Sequence, residues 1–166
     1  IQKLKQKMSN DFLNSIRENE KIIFKLIRIY SDQSDDQQDL YQEIIFQLWK
    51  AHKSFQGRSK ISTWIYRVAL NTALAHINLK KKHLKTIPLQ DIGIQFEEKI
   101  DSKLEDEISE MYQQIRNLNE IDRAIIFLYL EDKNYEEIAG ITGFSATNVG
   151  SRLNRIKLKL KNKMSK

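Results

Sequence analysis

The chain contains no cysteine. Disulfides, thiolate metal sites and thiol nucleophiles are therefore excluded, and a reducing cytoplasm is the natural setting. Proline occurs once and glycine five times in 166 residues, too few for the many tight turns of an all-β fold. No apolar stretch approaches the roughly 20 residues that cross a bilayer. The opening IQKLKQKMSNDF also lacks the apolar core of a signal peptide, so no membrane insertion is expected. The three histidines, His52, His76 and His83, have no second metal ligand at helical spacing, so no metal site is expected. A phosphate loop, a nucleophile elbow and an HExxH pair are all missing. Glu136-Glu137 and Asp35-Asp36 read as carboxylates favouring a helix start, not as an acid/base pair. The chain is accordingly read as a non-enzyme without cofactor.

What is present points to helix. Leu, Ile, Lys, Glu and Gln are abundant, and apolar residues recur at helical spacing. Phe12, Ile16, Ile23, Ile27 and Tyr30 predict a first helix over about 9–30. Ser34-Asp35-Asp36-Gln37 reads as a capping box that opens a second helix, running to about His52. Gly57 marks a basic loop. A third helix is expected from Ser62 or Thr63, packing through Trp64, Ile65, Val68, Ala69, Thr72 and Ala73. Pro88, Gly93 and a cluster of acids form a connector over 83–103. Beyond it, Leu104, Ile108, Met111 and Ile115 form one helical stripe. Asn119 is expected to cap a helix with Ile121, Ile125, Leu128 and Tyr129 inward. Asn134 with Glu137 opens a short helix over Ile138 and Ala139, which Gly143 ends. Ser145 caps the last helix, whose stripe is Val149, Leu153, Ile156, Leu160 and Met164. The expected fold is all-α: two small helical domains, 9–82 and 104–164, joined by an acidic flexible linker.

The formal net charge is +6, and its distribution matters more than its size. From Ile44 to Gln90 there is no acidic residue and there are nine basic ones, and from Ile138 onward there is no acid and seven basic residues. Asp91 to Glu110 holds eight acids and two lysines. Each basic tract alone can be a solvated lysine-rich face; together they suggest one polyanion gripped at two places. The C-terminal tract, YEEIAGITGFSATNVGSRLNRIKLKL, has helix-turn-helix form. Opposite its apolar stripe the last helix presents Ser145, Ala146, Thr147, Asn148, Ser151, Arg152, Arg155 and Lys159. In a major groove, arginine can pair with guanine and asparagine with adenine, while hydroxyls and lysines can equally reach phosphates.

This tract resembles the region-four domain of extracytoplasmic-function sigma factors. It supplies Tyr135, Glu137, Ile138, Ala139, Gly143, Val149, Ser151, Arg152, Leu153 and Arg155 of that group's pattern. It departs at Asn148, where threonine is usual, and at Gly150, where a basic residue is common and glycine costs about 1 kcal/mol of helix propensity. If those departures weaken major-groove readout, promoter choice rests on the melted element or a recruiting protein. Restoring threonine and lysine there is then expected to raise activity on duplex upstream sites.

The N-terminal half resembles region two of the same group over residues 12–82. Asp39-Leu40-Tyr41-Gln42-Glu43-Ile44-Ile45 is similar to the helix that docks on a coiled coil of the polymerase largest subunit. The resemblance implies polymerase contacts by Asp39, Leu40, Gln42, Glu43, Phe46 and Trp49. The tract FQGRSKISTWIYRVALN is similar to the loop and helix that melt the downstream promoter element and hold a flipped base. It implies that Phe55, Arg58, Lys60, Trp64, Tyr66, Arg67 and Asn71 face single-stranded DNA, with Lys80, Lys81 and Lys82 beyond them. The chemistry agrees: duplex opening costs about 1.4 kcal/mol per stacking step, and a base stacked on an aromatic returns roughly 1–3 kcal/mol. Trp64, at helical spacing with Ile65 and Val68, can equally be a core residue.

The implied partners are bacterial core RNA polymerase, through the largest-subunit coiled coil and the flap of the second-largest subunit, and promoter DNA. An anti-sigma factor is implied for many members of the group, and an accessory recruiting protein is a further partner if readout by the last helix is weak. The competing reading is a stand-alone helix-turn-helix regulator that binds duplex DNA without polymerase. A membrane-surface role for the last helix is a third, disfavoured because no bulky aromatic follows Phe144.

Overall fold

The computed structural model describes the backbone of residues 2–84 and 102–164 and the side chains of 12–82 and 105–163. Among the described residues there are seven helices and no strand: α1 (Gln2–Tyr30), α2 (Ser34–His52), α3 (Ile61–Leu84), α4 (Ser102–Arg116), α5 (Glu120–Leu130), α6 (Tyr135–Thr142) and α7 (Ala146–Met164). No helix among them is long and apolar enough to cross a membrane. The all-helical expectation holds. The acidic connector lies largely outside the described residues, as do the side chains of Leu104 and Met164.

By internal packing the chain divides into two units, residues 1–27 with 38–88 and residues 28–37 with 89–166. In the first, α1 meets α2 through the Phe12 ring, edge-on to Trp49 at 5.3 Å and to His52 at 4.9 Å. The His52 and Trp64 rings, 6.3 Å apart, link α2 to α3. Phe12, Ile16, Ile23, Leu40, Ile44, Leu48, Ile65, Ala69, Leu70 and Ala73 are buried, as three amphipathic helices around one core require. α1 begins seven residues before its expected start, in a segment free of glycine and proline. α3 starts at Ile61 because the Lys60 carbonyl already accepts the Trp64 N–H at 3.1 Å.

The capping box expected at Ser34 does not form. The Ser34 hydroxyl is buried without a hydrogen-bond partner among the described residues. The Gln37 amide instead donates to the Ser31 carbonyl at 2.8 Å, and the Gln37 backbone N–H bonds Gln33. The helix thus opens one residue earlier, with Gln33 at the cap.

The second unit takes in the end of α1. Tyr30 is buried, and its hydroxyl donates to the Glu120 carbonyl at 2.9 Å. Burial pushes the Tyr30 phenol far above the ordinary tyrosine range, with Arg123 opposing, so the donor proton is retained. Arg116 donates to the Arg28 carbonyl at 2.9 Å, and the Arg28 guanidinium sits 4.5 Å from the Tyr112 ring centre. Around this, α5 is enclosed by α4, α6 and α7 and buries Ala124, Ile125, Ile126, Phe127 and Leu128 in succession. The expected single stripe on α5 is therefore corrected: Ala124, Ile126 and Phe127 are buried as well, because a central helix buries most of its circumference, whereas Ile121 and Tyr129 near its ends are exposed.

Candidate nucleic-acid and polymerase interfaces

The helix-turn-helix is set by local chemistry. Asn134 accepts the Glu137 N–H at 2.9 Å, while Glu137 accepts the Asn134 N–H at 3.0 Å, a reciprocal capping box. Gly143 ends α6 at φ 82°, its N–H bonded to the Ala139 carbonyl, a conformation that costs glycine nothing. The Ser145 hydroxyl accepts the Asn148 N–H at 3.2 Å and opens α7. Val149, Leu153 and Ile156 then pin α7 to the core. Thr147, Asn148, Ser151, Arg155 and Lys159 are left exposed along the opposite face. No ion pair engages Arg155 among the described residues. Asn154, which the sequence reading passed over, is exposed on the same face, three residues from Ser151 and so beside it on the helix.

Arg152 corrects the expected set. Its Nη1 donates to Asp122 Oδ1 at 2.9 Å and its Nε to Asn148 Oδ1 at 3.1 Å. The guanidinium also lies 5.1 Å from the Phe144 ring centre. Asp122 is buried at 7% exposure and accepts the Asn119 amide through its other oxygen at 2.8 Å. A carboxylate that deep needs a cation partner, and Arg152 supplies it. This arginine ties α5, the turn and α7 together, its guanidinium being engaged by Asp122, Asn148 and Phe144. Gly150 is also more than a departure. A Cβ there would stand 3.1 Å from Tyr135 Cε2, so the Tyr135 ring occupies the space a side chain would take.

On the first unit, Phe55 and Trp64 form a tilted aromatic pair with centres 5.2 Å apart, both half-buried. Arg58 and Lys60 are exposed in the loop around Gly57, whose φ is 66°. Lys60, Arg67 and Asn71 recur at helical spacing, all exposed and alongside Trp64. Lys80, Lys81 and Lys82 lie on the last described turns of α3, with Lys81 and Lys82 exposed. Tyr66 does not belong to this surface. It is 3% exposed, on the core side of α3 next to Ile65, and presents no ring face to a base.

α2 carries a different kind of surface. Asp39, Gln42, Glu43 and Phe46 fall on one exposed stripe and line a groove with His76 of α3. Phe46 is 56% exposed. Trp49 continues the stripe, exposed at its far side though braced by Phe12. Leu40 is the exception: it is fully buried and belongs to the core. Tyr41 stacks on Phe24 at 5.3 Å and donates to Glu20 at 3.0 Å. Burial, then the Glu20 carboxylate, raises its pKa. Among the described residues no group of three or more potential metal ligands converges.

Residues 16–83 match the sigma-70 region 2 family and residues 108–160 match the sigma-70 region 4 family, together most of the chain and in that order. The chain belongs to the extracytoplasmic-function sigma factors. Relatives include the ECF RNA polymerase sigma-E factor of Haemophilus influenzae, 28% identical over 145 residues covering 78% of this chain and 75% of that one. The RNA polymerase sigma factor YlaC of Bacillus subtilis is 28% identical over 135 residues, covering 77% of each. Among solved structures, the sigma factor RpoE in complex with the anti-sigma factor NepR from Bartonella quintana shares the fold. Its TM-score is 0.75 at 18% identity, over 93% of this sigma factor and 97% of that chain.

Proposed function

We propose that this sigma factor assembles with core RNA polymerase through the exposed α2 stripe and opens and holds the downstream promoter element on the loop and outer face of α3. In the same reading, α7 reads the upstream element in the major groove. The observation that carries it is the stripe Asp39, Gln42, Glu43 and Phe46. The two carboxylates would be repelled by a phosphate backbone, but together with the exposed phenylalanine they suit a protein partner, with an aromatic anchor inside a charged rim. A stand-alone repressor has no use for such a surface beside a DNA-melting loop.

Division of labour follows from the groups available. Arg58, Lys60, Arg67, Lys80, Lys81 and Lys82 supply phosphate contacts, while Phe55 and the edge of Trp64 offer π-surface to an unstacked base. Asn71 presents an amide beside them. On the upstream side, Arg155 is the residue placed to pair with a base edge. Ser145, Thr147, Ser151, Asn154 and Lys159 surround it, where hydroxyls and an ammonium can hold phosphates. In this reading nucleotide addition belongs to the polymerase, and the reaction takes place in the cytoplasm. An anti-sigma protein is a fitting regulator, since the solved relative with NepR is such a complex.

The test is reconstitution. The purified chain, mixed with bacterial core RNA polymerase, should start transcription at discrete sites on a genomic promoter library. Glu43→Lys combined with Phe46→Ala should abolish co-elution with the core enzyme. Tight duplex binding with no polymerase association would instead favour the stand-alone regulator.

A further inference from the structure

Asn148 stands in the first turn of α7, the turn from which a helix in the major groove meets base edges. Its side chain is exposed, yet one of its two polar atoms is already engaged by Arg152 at 3.1 Å. A guanidinium has only donors, so the atom facing it must be the amide oxygen, and the amide cannot flip without setting N–H against N–H. Arg152 is itself immobilised by Asp122 at 2.9 Å and by the Phe144 ring. The oxygen is thus held toward the protein and the NH2 group is turned outward. An unconstrained asparagine reads adenine through both atoms, accepting from N6 and donating to N7. This one presents two donors.

We infer that Asn148 is a specificity-determining residue that reads an acceptor edge, guanine N7/O6 or thymine O4, and discriminates against adenine and cytosine. The inference rests on the reading of α7 as the major-groove helix. Arg152 acts through Asn148 as a positioning residue: it selects which base the amide can recognise without meeting DNA itself. Guanine and thymine offer acceptors to both N–H groups or to one of them, cytosine offers only a donor, and adenine pairs an acceptor with a donor that this amide cannot answer.

The experiment uses the full chain assembled with core RNA polymerase and a library of promoter duplexes randomised through the upstream half. Bound duplexes are sequenced for the wild type and for three variants. One upstream position should prefer guanine or thymine over adenine by about tenfold, the fold-change that about 1–3 kcal/mol of base discrimination spans at its lower end. Asn148→Asp, which keeps the partner of Arg152 but offers acceptors only, should move the preference at that position alone to cytosine or adenine. Asn148→Ala should flatten it. Arg152→Met should release the amide and let adenine rise there, a change of letter that loss of packing alone does not produce. Because Asn148 is exposed, its two variants fold even if Arg152→Met does not. A wild-type preference for adenine at the position that Asn148→Ala flattens would overturn the inference while leaving α7 as the reader. Uniform weakening across all sequences by Asn148→Ala would place the amide on a phosphate and overturn it as well. A wild type that initiates but selects no upstream sequence would overturn the groove reading of α7, and the inference with it.

Discussion

In the loop before α3 and on its outer face the cations stand outward around an aromatic pair: Arg58, Lys60 and Arg67 are exposed while Phe55 and Trp64 lie half-buried against each other. On α7 two polar side chains are tied to the protein, Arg152 being held by Asp122 and in turn holding Asn148. The two surfaces carry the same sign of charge, and under the proposed function they would solve different problems. Holding an opened strand requires charge along a backbone and π-surface for whichever base arrives, and neither depends on fixed hydrogen-bond directions. Reading a duplex requires donors and acceptors aimed to within a fraction of an ångström, and a buried network is one way to aim them. Outward cations suit the first task, and the anchored pair of Arg152 and Asn148 suits the second.

The contrast can be broken at its strongest point by removing the scaffold. Asp122→Ala leaves Arg152 partly buried with no counter-charge and the Asn119 amide without its acceptor. The expected loss of stability is about 2 kcal/mol, below the roughly 3–5 kcal/mol of a fully buried pair because the arginine is partly exposed. Denaturant unfolding measures it. No comparable loss should follow a single alanine substitution at Arg58 or Lys60, both of which are exposed. A loss at Asp122 no larger than at those positions would remove the distinction.

Next in size are the effects on DNA. Arg155→Ala should cost about 1–3 kcal/mol of upstream-element binding by the polymerase assembly and relax the sequence preference at one base pair. The deficit should persist on a promoter whose downstream element is already unpaired. Arg58→Ala with Lys60→Ala should leave sequence preference untouched and make the salt dependence of log K shallower by about two. Measured over a salt series, a changed base preference in the double variant would mean that the loop reads sequence and is not merely a phosphate track.

How much of this could be read from the chain depends on how local the cause is. The α6 capping box, the left-handed Gly143 and the Ser145 cap were all legible, because each is settled within four residues. Both surfaces could be located from the absence of acids around them. The misassigned residues share a different cause. Leu40, Tyr66 and Arg152 sit within motifs whose neighbours are exposed, and only tertiary packing decides that these three turn inward. Leu40 is fully buried beside exposed Asp39 and Gln42; Arg152 is engaged by a carboxylate thirty positions away. Likewise Ser34-Asp35-Asp36-Gln37 has the composition of a capping box, but Gln37 finds the Ser31 carbonyl nearer. The assignment of residues 28–37 to the second unit has no local signal, since it depends on Tyr30 reaching Glu120.

The smallest expected effect bears on Gly150, where sequence and structure give different reasons for the same residue. Read as a sequence, glycine there weakens the helix by about 1 kcal/mol, and any side chain should help. In the structure a Cβ would meet Tyr135 Cε2 at 3.1 Å, so part of the gain in helix propensity is lost in moving the ring. Tyr135 is exposed enough to yield, and the two terms nearly cancel. Gly150→Ala alone should therefore change stability by less than about 0.5 kcal/mol, whereas in a Tyr135→Ala background it should stabilise by about 1 kcal/mol. A double-mutant cycle in thermal or chemical unfolding measures the difference directly. Gly150→Lys raises binding to duplex upstream sites only if its added charge outweighs the displaced ring. Should the cycle close with no coupling, Tyr135 moves freely, and the glycine is a weak point in α7 with no compensating contact.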